Sequence, residues 1–496
     1  MTLEFRPVYY KDKLRFVKQG DSFDKEKLNI VNLKGTAGIV TLWNKPWDVW
    51  KQLRQSNSDL FTESSPLVTL TSLYGNGLPQ MLANLANNPQ IEYLAVTGND
   101  TKTVPSFTYL SNFLKEGIEL PEDGGKLGRI KGTKYPIDPQ LSRDLFRNLK
   151  MERFEKSDLE GLINFVKQSP TINPQERERK EIKLIEPEFS DFPSDRTTHQ
   201  IYAQTPTEAW IELIYTLNKF GKNTNIKKGV RRALYNLEVT IENPQQESPD
   251  ILRERGFDIK ELSSYRESIL EGKLPEKISY TYGNLLREHF GFDMLDKVVD
   301  RLKEDPMDRK AFISLWDNKT HLDSNAESDS SVPCLTDLYF TDYEGKLMLT
   351  AGFRTHNATS AWLLNVYGLS AIQEYVAKKA GLKEGRINVK SRWISMDPQD
   401  ARTNASIEAV KKYRDKKIEV NDPRGYFVVG NNEKEIILEH YMPDGQKLKT
   451  YKATTAKEIK DQIRQDGAIT NADHAIWMGY QLAMVHLKVH KELPEF

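Results

Sequence analysis

One cysteine, Cys334, stands in the run SSVPCLTDLYF, directly after a proline and at the start of an alternating, strand-like stretch. A cysteine alone on a strand is ordinarily a small buried hydrophobe. Its company points elsewhere. Arg354 follows twenty residues later in GFRTHN, and Asn365 eleven beyond that in AWLLNVYGL. A thiol becomes a useful nucleophile when a nearby cation stabilises its thiolate. Two adjacent antiparallel strands would carry the arginine back beside the thiol. The chemistry on offer is covalent catalysis by a cation-stabilised thiolate, with a carboxamide close by in the chain that can both donate and accept hydrogen bonds.

The elements that must position these groups fall into three blocks. In the first, residues 1–190, strand-like runs at Gly38–Trp43, Leu67–Tyr74 and IEYLAVTGND alternate with helical patterns at LPQMLANLANN and SFTYLSNFLKEG, which predicts βαβ units. The Gly75-Asn76-Gly77 segment reads as a plain turn, since a dinucleotide fingerprint needs a third glycine and a later acidic residue. The charged, proline-punctuated stretch from Ser169 to Arg196 reads as a connector with room for one strand. The second block, 197–415, opens with the helix TPTEAWIELIYTLNKFG, capped by Thr205 or Thr207. Strands follow at LYNLEVTIEN, KAFISLWD, CLTDLYFTDYEG and KLMLTAGFRTH, then a long helix from about Asn365 to Ala380. The third block, 416–496, shows two strands, YFVVGNN and EIILEHYMPDG, and a closing helix from His474 to His490.

Composition narrows the function classes. The chain has 496 residues, 71 basic against 71 acidic, with hydrophobics at 38%. That is a folded chain of several domains. Its zero net charge argues against a surface that tracks nucleic acid, though a local basic pocket stays possible. No run of about 18–20 apolar residues is present for a membrane helix, and the start lacks a secretory signal. A single cysteine excludes a disulfide framework and a Cys-rich metal site, so a reducing, cytoplasmic setting is expected.

With these residues in view, the middle block resembles the thymidylate synthase family, which includes the pyrimidine-nucleotide hydroxymethylases, and is closest to its archaeal branch. ISYTYGNLLREHF…DPMDRKAFISLWD is similar to the family's Tyr-Gly-x-x-x-Arg and Asp-Pro-x-x-Arg run; VPCLTDLYF to its Pro-Cys strand; FRTHNATSAWLLNVYGLSAIQEYVAKKAG to its Arg, Asn and long-helix segment. The resemblance implies an α+β central domain, a mixed sheet with a long helix behind the nucleophile strand, paired back to back in a homodimer. A small α/β domain precedes it and a small α+β appendage follows.

The resemblance also implies roles. Cys334 would add to C6 of a pyrimidine ring and make C5 a carbon nucleophile. Arg354 would hold the nucleotide phosphate. Arg309 would reach across the dimer to the partner's phosphate, with Lys310 where a second arginine is usual. Arg231 or Arg232 would close over the phosphate, and Glu267 would be the general base. Asn365 would read the O4/N3 edge of uracil, since cytosine-acting members tend to place an Asp there, so dUMP is the expected substrate. The one-carbon donor would be methylene-tetrahydrofolate or a related methylene-pterin.

Several positions depart from the family. Leu335 stands where a His usually follows the Pro-Cys, and Asn357 where an Asp binds the pterin ring. The His-x-Tyr that holds the sugar falls on Ser395 and Asp397, or, shifted by two, on Trp393 and Ser395. Three outcomes stay open: methyl transfer, hydroxymethyl transfer, or a nucleotide-binding homologue that has lost catalysis. The third block resembles a C-terminal domain found on archaeal-type relatives. IEYLAVTGND and its following helix faintly resemble part of the tetrahydromethanopterin methyltransferase, although the chain's first histidine, His199, lies beyond this block and excludes a His-ligated corrinoid in it. His486 and His490 have a metal-compatible spacing without an evident third ligand. His474, after Asp473, reads as capping a helix start, and His356 sits near enough to Arg354 to face the same pocket.

Overall fold

The computed structural model describes residues 3–9, 15–16, 28–73, 77–101, 105–122, 125–170, 178–189, 192–195, 197–227, 229–276, 278–322, 332–414 and 422–494. The Gly75-Asn76 turn lies outside them. The chain divides into two compact units, Met1–Arg414 and Asp415–Phe496. No helix among the described residues is long and apolar enough to cross a membrane.

Among the described residues the larger unit holds two large sheets with separate cores and a small three-stranded one, Ile118–Glu119, Gly128–Ile130 and Pro136–Ile137. The first, six-stranded, runs in the order Arg15–Phe16, Leu28–Ile30, Leu67–Thr71, Ala37–Val40, Tyr93–Thr97, Lys150–Phe154. Its four last-named strands pair in parallel, as βαβ crossovers require. The three inner ones, Leu67–Thr71, Ala37–Val40 and Tyr93–Thr97, are buried on both faces and so read as near-continuous apolar runs, while the edge strand Lys150–Phe154 is largely exposed. Leu42, Val96 and Leu82 share one core, while Ile39, Ala95 and Leu53 share the other. No strand forms among the described residues of 169–196; instead Ile182 is buried in the first core, and Phe189 lies against the second domain's core. The proline-punctuated connector therefore anchors itself by side chains and not by a ladder.

The second sheet is eight-stranded and mixed. Its order is His199–Ala203, Gly229–Ile241, Lys383–Met396, Lys346–Phe353, Leu335–Tyr343, Phe312–Ser314, with Lys222–Ile226 on the second of these and His356–Asn357 on the third. The 14-residue strand Lys383–Met396 is its spine. It pairs in parallel with Lys346–Phe353 and antiparallel with Gly229–Ile241. Sequence reading had no strand here, because the run KEGRINVKSRWISM carries five charges in fourteen residues and looks like loop.

The long helix spans Trp362–Ala380. It is apolar nearly all round, the pattern of a helix buried on most sides, with Trp362, Val366, Leu369, Ile372 and Val376 fully enclosed. Gly381 ends it at φ 75°, a left-handed position that suits glycine. Asn365 stands inside its first turn and not at its cap, which is Ala361. Thr205 caps the helix Pro206–Phe220, accepting from the Glu208 N–H.

One polar side chain ties this helix to the sheet. Gln373, fully buried, directs Nε2 at the carbonyls of Leu347 (2.8 Å), Gly385 (3.1 Å) and Arg386 (3.1 Å) on two neighbouring strands. Replacing it would leave those acceptors short of a donor at depth. Gln373→Leu should lower stability by about 1–3 kcal/mol, read as a reduced thermal midpoint of the full chain.

The smaller unit is a three-stranded antiparallel sheet, Tyr426–Asn431, Ile436–Tyr441 and Lys447–Ala453, with helices Ala456–Gln465 and Ala472–His490. Its histidines are structural. His486 Nδ1 accepts from Ala456 N (3.2 Å), and the His490 ring bonds the Thr454 carbonyl (2.6 Å). Among the described residues no group of three or more His, Cys, Asp or Glu is placed to hold a metal. Asn471, not His474, caps the last helix; His474 is buried against Asp422 (3.1 Å). Several hydrogen bonds to Asp422, led by the Thr470 hydroxyl, outweigh its burial and hold its pKa far below the usual carboxylate value.

Candidate active site

Cys334 is half-buried, immediately ahead of the strand Leu335–Tyr343. The strand turns at Glu344–Gly345 and returns as Lys346–Phe353, so Leu335 pairs with Phe353. That hairpin puts Arg354 beside the cysteine by register alone. Arg354 N donates to the Cys334 carbonyl (2.9 Å). Its guanidinium continues the clasp, with Nε on Pro333 O (2.9 Å) and Nη2 on Val332 O (3.1 Å). The Trp316 ring lies beneath it at 5.7 Å, a cation–π distance.

A β-bulge sits next to the thiol. Leu335 opposes Phe353, but Asp337 opposes Gly352, so Thr336 is the extra residue. The bulge is pinned by the Thr336 hydroxyl on the Gly352 carbonyl (2.9 Å). A Cβ at Gly352 would meet the Asp337 carboxylate, which would have to swing away from its place beside the bulge.

Tyrosines surround the cysteine. Tyr282 Oη accepts from Leu335 N (3.2 Å), and Tyr280 Oη donates to Val332 O (3.3 Å). Tyr265 Oη donates to Asn365 Oδ1 (2.7 Å). Burial raises the pKa of all three hydroxyls, and the charge of a Cys334 thiolate adds to each. Tyr280 is pushed up to about 12 although Arg354 pulls the other way. These groups stay protonated at neutral pH and can donate hydrogen bonds.

Asn365 is 6% exposed and engaged at both ends. Its Nδ2 meets His356 Nε2 at 2.9 Å, and His356 Nδ1 meets Ser391 Oγ at 3.1 Å. The His356 ring stacks on Phe353 at 3.9 Å. Burial drives its pKa down to about 3, so the imidazole is neutral. Ser391 also pairs with Phe353 across the parallel ladder, which closes the group around one end of the sheet.

The other sequence-derived candidates lie outside this cluster. Glu267 is exposed on the helix Ile259–Ser268. Side chains two apart on a helix point about 200° from each other, and Tyr265 takes the inward position. Arg232 is 1% exposed, stacks on Phe189 at 4.6 Å, and donates from Nε to Leu217 O (3.2 Å) and Asn218 O (3.1 Å). It is a buried structural arginine. Arg231 is paired with Asp397 at 3.0 Å. Asn357 Oδ1 accepts from Thr359 N (3.0 Å), Thr359 Oγ1 (3.2 Å) and Ser360 N (3.0 Å), shaping the turn before the long helix. Arg309 and Lys310 are exposed on the turn before Phe312–Ser314. Sequence reading missed Tyr265, Tyr280 and Ser391 as parts of the site; Tyr265 shared a helix with the carboxylate that drew attention.

The central block is similar to known proteins. The family model for thymidylate synthase matches residues 194–396, and one described as PterinBD-DUF4346 matches 421–492. A protein of Methanothermobacter marburgensis is 31% identical over 206 residues, covering 39% of this chain and 90% of the relative. One of Methanosarcina barkeri is 31% identical over 193 residues, 38% of this chain and 86% of the relative. One of Methanopyrus kandleri is 30% identical over 190 residues, 38% and 88% respectively. Each carries the name "Putative thymidylate synthase".

The neutral imidazole gives a direct check. In ¹⁵N-histidine spectra taken from pH 8 to 5, the His356 nitrogens should not shift. The sign follows from burial: a folded pKa below the unfolded one means stability is complete above about 6.5 and falls by up to about 1.4 kcal/mol per unit as the pH drops below it, until about pH 3.

Proposed function

The chain belongs to the thymidylate synthase family, and from that premise we propose that it moves a one-carbon unit from a reduced pterin to C5 of a uracil nucleotide, dUMP, through a covalent Cys334 adduct. The observation that carries this reading is the clasp between Arg354 and the backbone of Val332, Pro333 and Cys334. It fixes a guanidinium beside a half-buried thiol. Arg354 Nη1 has no hydrogen bond among the described residues and can meet a phosphate oxygen.

The Cys334 thiolate attacks C6, and the electron pair of the C5–C6 bond moves toward O4, making C5 nucleophilic. The hydrogen bond that meets the charge developing on O4 comes from the Asn365 carboxamide, while Tyr265 and Tyr280 spend their single hydrogens on Asn365 Oδ1 and the Val332 carbonyl. Asn365 faces the O4/N3 edge. C5 would attack the donor's methylene carbon. Loss of the C5 proton and departure of the donor's nitrogen would leave an exocyclic methylene on the Cys334 adduct. Hydride from the tetrahydropterin, or water, would then add to it as Cys334 leaves as thiolate and the C5–C6 double bond is restored.

The donor, methylene-tetrahydrofolate or a relative, supplies carbon at the formaldehyde level. The fit is partial. Asn357, which stands where the family binds the pterin, has its Oδ1 committed to three bonds in its own turn. Only its Nδ2 can serve a ligand, so a pterin would be gripped differently. The sugar contact differs as well, since Asp397 is paired with Arg231. These departures favour keeping hydroxymethyl transfer as the second reading, the two diverging only after the exocyclic methylene forms. A homodimer, formed through the sheet face opposite the long helix, would bring a partner's exposed Arg309 to the phosphate.

Two measurements test the proposal. Tritium release from [5-³H]dUMP with a methylene-pterin donor should exceed background in wild type and vanish in Cys334→Ala. Equal background from both proteins with dUMP, dCMP, UMP and CMP would sink the enzyme reading and leave a binding protein. By calorimetry, Arg354→Ala should weaken dUMP binding about 10–100-fold, the worth of one charge-assisted phosphate contact; unchanged affinity removes Arg354 from the site.

A further inference from the structure

The site holds a chain of four hydrogen-bonding side chains, Tyr265–Asn365–His356–Ser391. Its direction can be worked out from one end. The half-buried Tyr265 hydroxyl carries one hydrogen and directs it to Asn365 Oδ1, 2.7 Å away. With Oδ1 turned to Tyr265, Nδ2 faces His356 Nε2 at 2.9 Å and must donate to it. A neutral imidazole carries one N–H. Since Nε2 accepts, the proton is on Nδ1 and points to Ser391 Oγ at 3.1 Å. Every bond then runs in the same sense.

This fixes what the carboxamide can offer a ligand. Each end of Asn365 has one protein partner, which leaves one Nδ2–H and one Oδ1 lone pair in a set order. The uracil edge presents an acceptor at O4 and a donor at N3; the cytosine edge presents the reverse. An amide free to rotate by half a turn reads both edges, whereas one held at both ends reads one. We propose that Tyr265 and His356 are specificity-determining positioning residues, which lock the Asn365 carboxamide in a single orientation and so make the site select an oxo- over an amino-pyrimidine nucleotide. The proposal rests on Asn365 facing the base, as in the reading above.

The test uses the full chain and two ligands, dUMP and dCMP, with affinities from calorimetry. In Tyr265→Phe the pin on Oδ1 is gone, and the preference for dUMP over dCMP should shrink about tenfold, the scale of one neutral hydrogen bond. Much of that change should be a gain for dCMP. A purely structural role would weaken both ligands alike, so an unchanged ratio overturns the proposal. Wild type binding neither nucleotide would overturn the base-reading role itself and this inference with it; wild type preferring dUMP with an unchanged ratio in the variant overturns the inference alone. Ser391→Ala, which frees the tautomer from the far end, should shrink the ratio in the same direction. Independently of any variant, ¹⁵N spectra should show His356 as the Nδ1–H tautomer, and the Nε2–H form would refute the assigned direction.

Discussion

The arrangement depends on an arginine serving as both scaffold and charge. Arg354 bonds three consecutive carbonyls, of Val332, Pro333 and Cys334, through its side chain and its own N–H. A proline at 333 offers no N–H to a ladder, so this stretch could not be fixed by ordinary strand pairing. The guanidinium supplies the donors instead. Charge-assisted bonds hold a segment firmly, and the same contacts keep the cation on the backbone that carries the cysteine. One side chain thus fixes the segment and brings a positive charge to it.

Around that clasp the polar groups are neutral and buried. Three tyrosines, a carboxamide, an imidazole and a serine replace the charged residues that a site for anionic ligands would be expected to show. Burial explains why they remain uncharged: it raises the hydroxyls and lowers the imidazole. A network of neutral groups can be fully satisfied at depth without the desolvation penalty of buried ions. The positive charge of Arg354, proposed above to meet a phosphate, thus has neutral groups for neighbours.

Much of this was legible in the sequence where it followed from local geometry. The Cys–Arg adjacency needs only a hairpin of the observed length, and the apolar helix starting near Asn365 announces its own burial. The rest turned on phase. Glu267 and Tyr265 share a helix, and nothing in SSYRESILEG says which of them faces inward. Arg231 and Arg232 share a strand, where alternation sends one to the surface to meet Asp397 and the other beneath Phe189. Asn357 could be aligned with a ligand-binding position, yet its hydrogen bonds to Thr359 and Ser360 become visible only when the turn is folded. His356 was noticed, but its direction required the register of a two-residue strand against Lys383–Met396.

The bulge at Thr336 sets the phase of all that follows it. Because side chains alternate with a period of two, a regular strand from Leu335 onward would send Leu338 and Phe340 outward; the surplus residue returns them to the core. Excising Thr336 would leave a plain strand of unchanged phase, whereas drawing it into the ladder would turn the rest inside out, presenting Asp337 and Tyr339 to the apolar interior. The kink, and not the count of residues, keeps Leu335 and Leu338 on one side of the sheet.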